Sequence, residues 1–280
     1  MRPGLFALND TAPMPMKALL DDLLQDALGA KNRFSTLRTD PAAVESLIKS
    51  LRPRVPTAQL IRIGPQGDGG YLVPDDLAGI GACFSPGVSD ISGFELECAA
   101  RGMNVFLADR SVDGPAETHP RFHFVKRFIG GSTHGDYITL DDWVTRSVGS
   151  DAGDLLLQMD IEGFEYEALF SASDALLQRF RIIVCEFHYL DQLWNAAFFR
   201  MASRAFSKLL NSHVPVHAHP NNCCGFISKW GFTIPRIMEL TFMRADRPIS
   251  PEYAKLFPHP LDCDNTSRPP LDLPACWHSA

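Results

Sequence analysis

The chain has 280 residues, 45% of them apolar and 21% charged. That is enough for one large domain with its own core and excludes a wholly disordered or fibrous protein. The formal charge of −7, without any run of Lys or Arg, argues against nucleic acid as a partner. No apolar run reaches the roughly 18 residues of a membrane span. The seven cysteines form no CxxC pair and read as small buried hydrophobes of a reducing compartment. A cytoplasmic protein with neither nucleic-acid nor membrane partners is expected.

From Met16 onward, Leu19, Leu20, Leu23, Leu24, Ala27 and Leu28 fall on one helical stripe. Asp40-Pro41 has the form of a helix start, a cap followed by proline at the first helical position. Val44, Leu47, Ile48 and Leu51 carry that helix on. The two helices make residues 1–59 an N-terminal extension. It could cover a sheet, close a pocket or form the surface of a homodimer.

Beyond Leu60, short β-like runs alternate with helical ones. Strands are expected over residues 60–63, 81–85, 104–108, 122–125, 154–160, 181–187, 214–219 and 237–244. Ser92 and Glu95 have the spacing of a capping box, opening a helix that Gly102 closes. Further helices are expected from Thr139, after Gly163, and around residues 194–211. Alternating elements with continuously apolar strands imply an α/β fold, a mostly parallel sheet with helices on both faces. The last two strands, with little helix between them, read as an antiparallel edge pair. Residues 247–280 hold seven prolines and no periodicity, so an irregular surface tail is expected there.

In an open parallel sheet, ligands bind at the carboxyl ends of the strands, and the chemistry-bearing residues collect there. After the 81–85 strand comes Ser85-Pro86-Gly87-Val88, where Gly87 allows close approach of a ligand to the backbone. Asp109 follows the next strand and is suited to accept hydrogen bonds from ribose hydroxyls. A plain turn and a surface acid explain these two features equally well. No GxGxxG is present, which disfavours a dinucleotide.

Asp160 follows a run of apolar strand residues, where a carboxylate is costly unless it is paired or lies in a functional cleft. Glu162 and Glu165, three apart at a helix start, fit either chemistry or simple N-terminal charge pairing. Glu186 and His188 share one face of their strand, as do His217 and His219, and Asn221-Asn222 follow. Asp68-Gly69-Gly70 is a hairpin turn or a ligand-facing loop.

Three stretches then carry a family resemblance. TLDDWV followed by DLLLQMDIEGFEYEAL is similar to the central signature of the FkbM-type methyltransferases, which depend on S-adenosylmethionine (SAM). RIIVCEFH resembles the strand that follows in that family, and HAHPNN with IPRIMELTFMR resembles the ending of a subset of it. The resemblance spans residues 60–246 and implies a class I, Rossmann-like fold. The family's first loop is glycine-rich, whereas here only Gly87 remains.

By resemblance, Ser85, Gly87, Asp109 and Asp160 would contact SAM, with Asp160 beside the transferred methyl. Glu162, Asn221, Asn222 and Asp68 would face the acceptor, a hydroxyl of a saccharide, glycoside or other small molecule. The hydroxyl proton needs a base or a metal. The base would be His188, His217 or His219; the metal, Mn²⁺ or Mg²⁺, would be held by Asp160, Glu186 and His219. A non-catalytic relative that binds SAM or another ligand is the main rival reading, and a nucleotide-dependent oxidoreductase a weaker one.

Overall fold

The computed structural model describes residues 16–29, 35–149 and 153–278. The chain divides into two compact units, Met1–Arg38 and Thr39–Ala280. In the first, helix α1 (Met16–Gly29) keeps Leu20, Leu23 and Leu24 at least half exposed. The Gln25 side chain donates to the Ser35 carbonyl and accepts from its amide, both at 2.9 Å. The first 15 residues of the expected extension lie outside the described ones.

The second unit is built on a seven-stranded sheet. Its strands are β1 (Ala82–Pro86), β2 (Asn104–Ala108), β3 (Phe122–Val125), β4 (Leu155–Met159), β5 (Phe180–Phe187), β6 (His213–Pro220) and β7 (Met238–Arg244). In space they run β6-β7-β5-β4-β1-β2-β3. All pair in parallel except β7, which is antiparallel to both neighbours. The sheet is thus Rossmann-like, and the expected antiparallel pair is β6 with β7. The earlier strand holds the edge and the later one returns inside it. Residues 54–56 pair with 249–253, and 60–63 with 71–74, as small antiparallel ribbons.

The strand sequences explain the layering. Along β1, Ala82 and Phe84 join one core cluster while Cys83 joins the other. Leu155, Leu157 and Met159 oppose Leu156 in the same way, and Phe106 and Ala108 oppose Val105 and Leu107. This two-residue alternation, apolar on both sides, is what a sheet covered on both faces requires.

On the first face, helix α2 (Pro41–Ser50) packs through Val44, Leu47 and Ile48, its N-terminus capped by the Asp40 carboxylate on the Ala42 amide at 3.1 Å. The shorter α4 (Leu140–Val148), α5 (Glu165–Ser171) and α6 (Asp174–Leu177) add Trp143, Tyr166 and Leu177 to the same cluster. Helix α7 (Ala196–Leu210) turns Ala202, Ala205, Phe206 and Leu209 inward at helical spacing. The second face carries α3 (Gly93–Ala100) and the 60–74 hairpin.

Two local expectations fail. Ser92 precedes α3 but makes no capping hydrogen bond, because Glu95 turns into the protein to reach Ser85 at 2.5 Å. The 247–280 segment is not simply irregular: it contributes the 249–253 strand and buries Trp277, whose indole N–H donates to the Thr233 carbonyl at 3.1 Å.

Candidate active site

The chain enters the sheet centrally at β1, builds outward to β3, and returns to β4 on the other side of β1. The loops after β1 and β4 therefore diverge, and the crevice between them is the switch point where such sheets bind ligands. A cleft of about 260 Å³ lies there, lined by Gly87, Ala108, Asp109, Asp160 and Glu162 together with an apolar wall that includes Phe128, Ile129 and Phe164. That volume is near the lower end for small-molecule sites.

Gly87 forms the crevice floor for a steric reason. Its φ is +88°, and a Cβ there would sit 1.6 Å from the Asp160 carbonyl oxygen. The ends of β1 and β4 pack backbone to backbone. Asp109 holds the same loop: its carboxylate accepts from the Val88 amide at 3.0 Å and from the Ser111 amide and hydroxyl at 2.6 Å. Oδ1 is taken up by the two Ser111 contacts, while Oδ2, with one contact, keeps a lone pair for a ligand.

Ser85, expected at the cofactor, does not line the cleft. It is fully buried one position inside β1, and β alternation turns it to the α3 side. Its Oγ lies 2.5 Å from Glu95 Oε1 and 2.6 Å from the Gln158 side-chain amide oxygen, Oε1. One hydroxyl proton cannot serve both. Burial pushes the Glu95 carboxyl up, opposed by its hydrogen bond with Ser85.

Around Asp160 the acids converge on one imidazole. His188 Nδ1 lies 3.2 Å from Glu165 Oε1, and its Nε2 faces Glu162 at 3.5 Å, Glu186 at 3.8 Å and Asp160 Oδ1 at 3.9 Å. Glu165, at the start of α5, has no solvent exposure; its Oε1 also accepts from the Ile161 and Gly163 amides at 3.1 and 3.0 Å. It thus caps the turn and fixes the histidine.

Backbone strain gathers at the same place: Glu162 and Tyr189, neither of them glycine, have φ of 56° and 58°. Between them Gly163, at φ +104°, takes the Tyr189 ring against its backbone, 2.3 Å from where a Cβ would be.

The electrostatics follow from this crowding. Burial pushes the Asp160 carboxyl up to about 7, with Glu165, Glu162 and Asp68 adding to the effect and only His188 opposing it. Burial disfavours the His188 imidazolium, but Glu165, Asp160 and Glu162 outweigh it and raise the His188 pKa. Burial also raises Glu186 well above the usual range, helped by Asp160 and Glu239. Asp160 Oδ1, Glu165 Oε2 and Glu186 Oε2 are buried with no hydrogen-bond partner.

The remaining expected residues are drawn elsewhere. His217 Nε2 is 2.8 Å from Asp262, and His219 Nδ1 is 3.6 Å from the same carboxylate, whose side chain is only 4% exposed. Burial would raise Asp262, yet the two histidines hold it well below the usual range. The expected Asp160–Glu186–His219 metal set does not form, because the C-terminal segment brings its own acid to the histidine pair. Among the described residues, the acids and histidine that come within ligand reach of one another are Asp160, Glu165 and His188.

Asn222 clamps the same segment, donating to the Thr266 and Arg268 carbonyls and accepting from the Thr266 amide. Asn221 does reach the cluster, donating to Glu186 at 3.0 Å. Exposed Asp68 lies 3.3 Å from Asn265, which also donates to Glu239 at 2.7 Å. Sequence reasoning missed the Phe128–Phe164 wall and Asp262. It left Glu165 open between chemistry and N-terminal charge pairing, and took His188 as one histidine among several; the Glu162–Glu165 spacing was the available signal.

Comparisons with known proteins agree with this architecture. Residues 92–211 match the family model described as Methyltransferase FkbM domain. The match begins after the Gly87 loop and ends with α7, leaving Asp68, His217, His219, Asn221 and Asn222 outside it. No curated protein matches the chain in sequence.

Similar solved structures include the Burkholderia thailandensis 1,6-didemethyltoxoflavin-N1-methyltransferase with bound 1,6-didemethyltoxoflavin and S-adenosylhomocysteine. That likeness has 12% identity and a TM-score of 0.30, and covers 87% of this chain and 93% of that one. An antibiotic-related methyltransferase is similar at 10% identity and a TM-score of 0.26, covering 75% of this chain and 97% of that one. Likenesses this loose carry no argument. The family match does: residues 92–211, somewhat under half of the chain, are similar to a methyltransferase FkbM domain.

Proposed function

We propose that this protein transfers a methyl group from SAM to a hydroxyl of a saccharide, glycoside or other small molecule, with the Asp160 region as the reacting end of the cleft. The residues fit the cofactor in chemistry. Asp160 Oδ1 is a sealed, unpartnered carboxylate oxygen, the kind of group that a neighbouring cation relieves. Asp109 Oδ2 has a lone pair left for a ribose hydroxyl, and the Phe128, Ile129 and Phe164 wall suits a planar base. When bound, SAM supplies an electrophilic methyl on a cationic sulfur.

The chain's own residues would then orient the acceptor and receive its proton. Asp160, which lines the cleft 3.9 Å from His188 Nε2, stands where that proton would be received. His188, anchored on Glu165, sets the charge around it. The observation that carries the reading is the placement of Asp160, with His188 beside it, on the edge of the switch-point cleft.

The test is incubation of the purified protein with methyl-labelled SAM and a panel of sugars, glycosides and other alcohols. Labelled methyl ether is the expected product. Tight SAM binding with no transfer to any acceptor would favour the ligand-binding alternative.

A further inference from the structure

We infer that Asp160, Glu165 and His188 form a binding site for one divalent cation, of the Mn²⁺ or Mg²⁺ type, at the inner end of the cleft; this rests on the reading of that cleft as the transfer site. One oxygen from each acid and one ring nitrogen of the histidine all lie within 4.8 Å of one another. Metal–oxygen and metal–nitrogen bonds of about 2.0–2.3 Å allow opposed ligands about 4.0–4.6 Å apart, so small side-chain shifts close the set. Acids alone do not make a site, and two further observations point to a ligand.

First, Glu165 is fully buried, yet its Oε2 has no partner, while Oε1 takes up the Ile161 and Gly163 amides and His188. A buried carboxylate oxygen left bare is costly. Asp160 Oδ1 is bare and sealed in the same way.

Second, among the described residues no ion pair joins these acids to a Lys or Arg. Glu162 and Glu186 stand 3.5 and 3.8 Å from the same imidazole, so four carboxylates share one histidine. A divalent ion bound here would reverse the local charge and lower the pKa of a coordinated hydroxyl.

Carboxylate-rich ligation with one imidazole suits Mn²⁺, tolerates Mg²⁺ and is poor for soft ions. Asp160 provides the link to the cleft. Its buried oxygen faces the histidine, while a third of its side chain remains exposed.

The experiment is Mn²⁺ titration of the EDTA-stripped full chain without SAM, reading free Mn²⁺ by electron paramagnetic resonance. One ion bound per chain is expected, displaced by excess Mg²⁺. Asp160→Asn and His188→Ala should each weaken it at least tenfold, while the remote, exposed Asp113→Asn leaves it unchanged. Because Glu165→Gln risks misfolding through the lost cap, the more exposed Asp160 variant is the deciding one, with its circular dichroism checked against wild type.

Absence of a stoichiometric site, or a site that Asp160→Asn leaves intact, overturns the inference. The two readings fail separately. Mn²⁺ binding with no methyl transfer to any acceptor defeats the transferase reading alone. Full transfer after exhaustive chelation with no Mn²⁺ bound defeats the metal site alone.

Discussion

Gly87 and Asp160, 73 positions apart in the chain, meet backbone to backbone, so that a single Cβ on Gly87 would fall 1.6 Å from the Asp160 carbonyl oxygen. The contact joins the two strand ends that flank the cleft. Gly87→Ala must therefore push Asp160 away or leave its +88° φ, and both displace the carboxyl group. We expect at least tenfold weaker SAM binding by calorimetry and a loss of about 1–3 kcal/mol of stability from overpacking and strain. Binding and melting unchanged from wild type would mean that the crevice floor is pliable.

Asp109 closes the β1 loop and faces the cleft. Asp109→Ala removes the acceptor for the Val88 and Ser111 amides and any ribose contact. A rise in the SAM dissociation constant of ten- to a hundredfold is expected, each lost charge-assisted hydrogen bond contributing about 1.5–3 kcal/mol. Equal affinity for SAM in wild type and variant would remove Asp109 from the cofactor site.

Asp262 ties the C-terminal segment to His217, His219 and the His259 amide. Asp262→Asn removes the carboxylate that both buried histidines face, including the 2.8 Å contact with His217, a loss of about 1–3 kcal/mol. Limited proteolysis should then cut within residues 257–268 faster than in wild type. Identical cleavage rates would show that Asn222 and Trp277 hold the segment by themselves.

His213 sets an acid limit on stability. Burial pushes its pKa down to about 4, and the neutral ring bridges the Phe180 carbonyl and the Ser212 hydroxyl at 2.8 and 2.9 Å. The unfolded chain, with a histidine pKa near 6.5, binds the proton first. Stability from this group is therefore full above about 6.5 and falls as the pH drops from there toward 4, by about 3 kcal/mol in all. Melting temperatures of wild type and His213→Asn measured at pH 7.5 and 5 test this: the wild-type decline should be steeper. Parallel curves would contradict it.

Much of the fold was legible because it rests on local pattern. Apolar runs such as Leu155–Met159 can sit only in a sheet covered on both faces, and Asp40-Pro41 announces its helix by capping chemistry alone. The site was less legible. Ser92 and Glu95 have the spacing of a capping box, yet the Ser85 and Gln158 groups buried beneath α3 draw Glu95 inward. His219 looked like a partner for Asp160 because both follow apolar strands, and no local pattern signals that residue 262 supplies the acid it meets.

The sequence by itself determined which residues end strands, since alternation and burial are properties of neighbours along the chain. It thereby set Asp109, Asp160, Glu186 and His188 at the carboxyl edge of a parallel sheet. Only the tertiary structure decided which of them meet. The strand order brings β4 beside β5, so that Glu165 anchors His188, and it sends β6 to the edge, where the returning C-terminal segment claims His217 and His219. Contacts between positions tens of residues apart depend on how the chain crosses itself, and single-residue chemistry carries no record of that.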